Sequence, residues 1–140
     1  MAAQTVTWTR ADRVRIEPFG YPLFATRVHW HFKAPGSVAA ADTMSIAAMP
    51  PEAIPLGGVW NADALASGAV VQFGDGSDVD AYQTDPAADT LSGEVFSTRA
   101  LGRGLALAAA TVFTLTWKAA SAGMAAGDVI EGYFDYLERH

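Results

Sequence analysis

The sequence predicts an all-β fold, a sandwich or barrel with at most short helices. Two observations carry that prediction. Apolar residues recur with period two in several short runs, the spacing of a strand with one buried face. Proline and glycine clusters fall between those runs, where turns belong. The length sets the scale: 140 residues, 51% hydrophobic and 17% charged, suit a single domain with one core.

In chain order, Thr5–Thr9 and Arg13–Glu17 read as short strands. They lie within residues 1–22, which form either an N-terminal arm or the first strands; residues 23–140 form the main β domain. The clearest strand follows. Phe24, Thr26, Val28, Trp30 and Phe32 alternate with Ala25, Arg27, His29, His31 and Lys33, giving one bulky apolar face and one polar face. Ser45–Ala48 is a weaker strand. Ile54–Asn61 is strand-like but interrupted by Gly57-Gly58, a signal for a bulge or a close backbone approach. Ala69–Phe73 runs into an acidic turn, and Gly93–Ser97 is a further short strand. Within Leu105–Lys118, Phe113, Leu115 and Trp117 oppose Val112, Thr114 and Thr116. In the final run, Ile130, Gly132, Phe134 and Tyr136 oppose Val129, Glu131, Tyr133, Asp135 and Leu137. Two alanine-rich segments, Ala39–Met49 and Arg103–Ala110, have the composition of short helices.

Charge is unevenly distributed. Residues 1–33 hold five basic and two acidic side chains, residues 34–98 hold nine acids and no Lys or Arg, and the remainder balances four against four. The net charge of −6 argues against nucleic acid as a partner, because phosphate contacts require clustered cations. The asymmetry fits acidic loops that keep an apolar protein in solution, and also a basic N-terminal region meeting an acidic neighbour. There is no cysteine, which removes disulfides, thiolate metal sites and cysteine nucleophiles together. The first residues lack a basic head and a long apolar run, so no signal peptide is expected. The apolar stretch Gly104–Trp117 is too short to span a bilayer, and no membrane partner is expected.

Three constellations have the residue types for chemistry. His29 and His31 place two imidazoles on one strand face, a start for a metal site that lacks its further ligands. Asp75, Asp78 and Asp80 offer oxygens for calcium, but without the EF-hand order or its distant Glu. The simpler reading is a turn in which Asp and Ser side chains bond nearby amides while glycine supplies positive φ. No Gly-x-Ser-x-Gly elbow and no phosphate loop is present. The four tryptophans fit core or interface packing better than a sugar platform. No catalytic residue and no cofactor is predicted.

The segment from Met49-Pro-Pro-Glu-Ala-Ile-Pro-Leu-Gly-Gly-Val59 to Gly74-Asp-Gly-Ser-Asp-Val-Asp-Ala-Tyr82 resembles a pattern in small structural proteins of tailed bacteriophages and prophages. Gly127-Asp-Val-Ile-Glu-Gly-Tyr-Phe-Asp-Tyr136 is similar to the closing strand of such proteins. The resemblance is to capsid decoration (cement) and head-fibre or spike-base proteins, and covers about the C-terminal two-thirds. It implies a compact β-sandwich, often jelly-roll-like, that forms homotrimers on the outside of the capsid. It implies a non-enzymatic virion component, made in the bacterial host cytoplasm, with the major capsid protein as partner. On that picture the interface candidates are Trp8, Phe19, Tyr21 and Phe24, with Arg10, Arg13 and Arg15 for charge pairs to an acidic shell. Two rivals are a carbohydrate- or receptor-binding sandwich using exposed tryptophans and the Asp75–Asp85 loop, and a small β-fold enzyme with metal at His29 and His31.

Overall fold

The computed structural model describes residues 2–16, 23–119 and 121–139. Among these residues, nine strands form two sheets. They are β1 (Ala3–Thr5), β2 (Trp8–Ile16), β3 (Leu23–Lys33), β4 (Thr43–Met49), β5 (Ile54–Ala62), β6 (Val71–Gly74), β7 (Ser92–Val95), β8 (Thr111–Trp117) and β9 (Val129–Arg139). One sheet has the order β1-β4-β8-β6 and the other β2-β3-β9-β5-β7. All pairings are antiparallel except β1 with β4. From β4 onward, each strand lies in the opposite sheet from the one before it. β2 and β3 are the one consecutive pair that are also ladder neighbours.

The period-two runs predict which side chains meet between the sheets. Val28, Trp30 and Phe32 of β3, Phe113, Leu115 and Trp117 of β8, and Ile130, Phe134 and Tyr136 of β9 are all buried. Phe134 packs on Phe113 across the two sheets with ring centroids 4.3 Å apart. Phe73 of β6 sits 5.8 Å from both Trp30 and Trp60. Between those tryptophans in the ladder lies Gly132, aligned with Trp30 on one side and Trp60 on the other. A Cβ there would run into the carbonyl oxygen of Val59 and approach the Trp30 ring. Glycine is therefore what lets two indoles flank one central strand.

The glycine pair of β5 also behaves as its sequence suggests. The register with β9 shifts between Pro55 and Gly57, and Gly57 takes φ +147° at that bulge. A Cβ on Gly58 would lie 2.7 Å from a methyl of Val95, so the neighbouring strands approach closely there.

Neither alanine-rich segment forms a helix. Residues 43–49 are β4, paired with β8 through a bulge between Ser45 and Ala47. That bulge places Met44, Ile46 and Met49 all in the core, and pairing along a central strand overrides a weak local preference. Residues 103–110 run as irregular chain, tied by Gly104 N–H to Pro55 O and by reciprocal bonds between Leu107 and Ala53 or Glu52. A 3-10 turn, Arg99–Leu101, precedes them. The N-terminal boundaries also differ from those read in the sequence. The break falls at residues 6–7, and Arg10-Ala-Asp12 continues one nine-residue strand, because β3 offers a partner at every position.

A candidate docking surface

Of the interface candidates, Trp8, Arg10, Arg13 and Arg15 lie on β2 and Phe24 on β3; Phe19 and Tyr21 lie outside the described residues. β2 is the edge of the five-stranded sheet, and all nine of its residues are exposed. The opposing four-stranded sheet does not cover it, so neither of its faces is buried. What fastens it is the ladder to β3 and a set of surface contacts. The Arg13 guanidinium lies 4.1 Å from the Phe24 ring centroid and pairs with Glu138 at 2.9 Å. Arg10 pairs with Asp12 at 3.1 Å. Trp8 stacks on His31 with centroids 5.3 Å apart and planes 5° from parallel. An exposed pair such as Arg10–Asp12 contributes only about 0–1 kcal/mol.

The sequence did not single out two further residues of this strand. Val14 is 62% exposed and Ile16 40%. The available signal is the absence of sorting: charged and apolar residues share both parities of Trp8–Ile16, so no face is marked for burial.

His29 and His31 project from the outer face of the same sheet. They do not face a common point with further ligands. His31 Nδ1 lies 2.8 Å from a Glu131 oxygen, and His29 Nε2 lies 3.5 Å from Asp12. Among the described residues, no three His, Asp or Glu side chains gather where they could hold one metal ion. Beside them is a shallow groove of about 370 Å³ lined by Trp8, His29, Val59, Asn61, Glu131 and Tyr133. Tyr133 is held by Arg27, whose guanidinium sits 3.9 Å from the ring centroid and forms a two-pronged bond to Asp135 at 2.8 and 2.9 Å. The Asp135 hydrogen bond raises the Arg27 pKa further above its already high value, so this cation is permanent.

The acidic corner after β6 is a side-chain-bonded turn. One Asp75 oxygen accepts from the amides of Ser77 at 2.9 Å and Asp78 at 2.7 Å, and Gly76 takes φ +92°. Asp80 is raised above its ordinary value, first by its hydrogen bond with Asp78 and then by partial burial. The turn folds back over β6 and β8, where Gln72, Thr114 and Thr116 are buried on the outer side of that sheet. Asp85 seals this side with bonds from Gln72 at 3.0 Å and Lys118 at 2.8 Å. Tyr82, which closes the corner, packs on Phe96 at 4.4 Å. Burial pushes its hydroxyl pKa up to about 12, with Asp75 and Asp78 adding to the effect.

No family model and no curated protein matches the sequence. The fold does match solved structures. A chain in the capsid of Ralstonia phage GP4 superposes with TM-score 0.63 at 15% identity, over 83% of this chain and 85% of that one. A chain in the capsid asymmetric unit of cyanophage Pam1 gives 0.59 at 19% identity, over 86% and 87%. A chain in the acid-stable capsid of the Helicobacter pylori bacteriophage KHP30 gives 0.58 at 10% identity, over 92% and 94%. These likenesses establish a shared β-sandwich along nearly the whole chain, and they agree with the phage resemblance read from the sequence.

Proposed function

We propose that this chain is a non-enzymatic structural component of a phage virion, which docks on the outside of the capsid and stabilises it. The observation that carries the reading is the fold: chains from three phage capsid structures share it along most of their own length. The internal order supports the jelly-roll expectation. β3-β9-β5-β7 faces β4-β8-β6 with alternating crossovers, the order generated by winding paired strands around a two-layer core. Adhesion in such a protein requires exposed surface, and β2 supplies it with Trp8, Val14 and Ile16 beside three arginines. A homotrimer seated on the major capsid protein would bury that surface in interfaces of the large, apolar class.

The test is co-sedimentation with capsid shells prepared without the protein, combined with light scattering of the isolated chain. The expected result is a trimer in solution that pellets with shells and raises their resistance to heat. A chain that stays in the supernatant at micromolar concentrations would count against docking.

The groove beside Trp8 favours a second reading, a carbohydrate- or receptor-binding module. It sets a half-exposed indole and Tyr133 next to Asn61 and Glu131, a mixture of apolar ring and hydrogen-bonding groups suited to sugars. A rise in melting temperature with host-surface glycans, absent in Trp8→Ala, would support this reading over the first.

A further inference from the structure

We propose that the outward edge of β2 is a strand-addition site, which takes an extended, carboxylate-bearing segment of the shell protein on which this chain docks. The inference rests on the docking reading above and names the partner's form.

The edge is long. Nine residues at about 3.3 Å each give roughly 30 Å of ladder. β3 pairs with one side of β2 at all nine positions without a register shift. Successive residues of a strand point their N–H and C=O groups to opposite sides. Half of the β2 backbone groups therefore face away from β3, and among the described residues no strand pairs with that side.

Charge is the one device that guards this edge. Natural sheets blunt their edges with short strands, prolines, bulges, charged side chains or a covering segment. The other edges here follow that rule. β1 has three residues and β7 four. β6 has four, and Phe73 O already accepts from the amide of Tyr82 at 3.0 Å. β2 has no proline, no glycine and no bulge. Because both of its faces are open, an incoming strand meets no wall above or below the ladder.

Charge selects the occupant. β2 carries three arginines against one aspartate, within a chain of net charge −6. A second copy of β2 would bring the same excess of positive charge against it, whereas a strand bearing Asp or Glu would neutralise it. Arg10 already holds Asp12 in an exposed pair, which exchanges partners at little cost; Arg13 is held more firmly, by the partly buried Glu138. Main-chain bonds would supply affinity and the arginines selectivity, as in other strand-addition complexes.

Two prolines separate the sides of the strand. Ala11 and Val14 have opposite parity, so Ala11→Pro and Val14→Pro each delete a donor on a different side. The melting temperature identifies the one that faces β3. The other should keep its melting temperature and bind shells at least tenfold more weakly in co-sedimentation. Should both lower the melting temperature, hydrogen exchange of the wild-type chain decides. Alternate amides of β2 are then expected to gain protection on shells. Wild-type shell binding by the outward variant, or no added protection, would overturn strand addition while leaving docking intact. Loss of self-association instead of shell binding would identify a second copy as the occupant and overturn the partner named here. Failure of the wild-type chain to bind shells would remove the docking reading, and this inference with it.

Discussion

β2 and β3 are hydrogen-bonded neighbours for nine residues, yet they are stabilised in different ways. β3 lies between β2 and β9, and from Thr26 to Lys33 it splits cleanly into a core face and an outer face. β2 has no such split and buries no side chain. One strand holds the sandwich together, and the other is held by it. The difference teaches where the molecule has stability to spare: substitutions along the core face should unfold it, and substitutions of the exposed side chains of β2 should leave its stability nearly unchanged.

The most severe way to test that contrast is at the centre of the core. Phe134→Ala removes a fully buried ring packed on Phe113, and should destabilise the fold by about 3–5 kcal/mol in urea or thermal unfolding. A loss below about 1 kcal/mol would show that the sheets do not meet there. Next comes overpacking. Gly132→Ala places a methyl group against Val59 O and the Trp30 ring, and should cost about 1–3 kcal/mol.

Asp42 offers a comparable effect with a pH signature. It is nearly fully buried and accepts from Ala2 N–H at 2.9 Å, Ala39 N–H at 3.0 Å and the Gln4 amide at 3.0 Å. Burial, the largest single influence, raises its pKa, but the amides of Ala39 and Ala2 and the Gln4 side chain together outweigh it and hold the carboxyl below its ordinary value. Asp85 is lowered in the same balance, burial opposed by Lys118 and Gln72. A depressed folded pKa gives stability that is present above the unfolded value near 4 and is lost as pH falls through the folded one. Asp80, whose pKa is raised, acts in the opposite sense. Melting temperature should therefore fall as pH drops below about 4. Asp42→Asn should flatten that fall, and Asp42→Ala should cost on the order of 1–3 kcal/mol at neutral pH. An unchanged acid limb in Asp42→Asn would remove Asp42 from this role.

The smallest effect sharpens the comparison most. Val14→Ser, on the most exposed of the large apolar side chains of β2, should shift stability by less than about 0.5 kcal/mol. A larger loss would mean that β2 is covered in the isolated protein.

Much of the fold was legible because period two and burial coincide. The runs through Val28–Phe32, Phe113–Trp117 and Ile130–Tyr136 name the two inner faces directly, and Gly57-Gly58 marks a bulge with a tight approach beside it. The alanine-rich segment that becomes β4 was not legible, since alanine carries no period and its bulge lets three apolar residues spaced by two and three share one side. Nor were the contacts that depend on residues distant in sequence. Asp42 is bonded by the N-terminal strand, and Gln83 takes the Trp60 indole N–H at 2.6 Å while donating to Val71 O at 2.9 Å. The sequence indicates which residue types are present, but only the assembled sheets show which polar group meets which. The β2 surface was half visible: its arginines and Trp8 stood out, whereas the openness of both faces follows from the narrower opposing sheet.

The position of β9 has a consequence for biosynthesis. It lies between β3 and β5, joining strands made long before it, and it contributes Ile130, Phe134 and Tyr136 to the shared interior. Until a ribosome has synthesised that segment, the larger layer exists as two unjoined halves with exposed aromatic residues. A chain cut short before β9 would lack the piece that joins them, so only a chain that includes β9 could close the larger sheet.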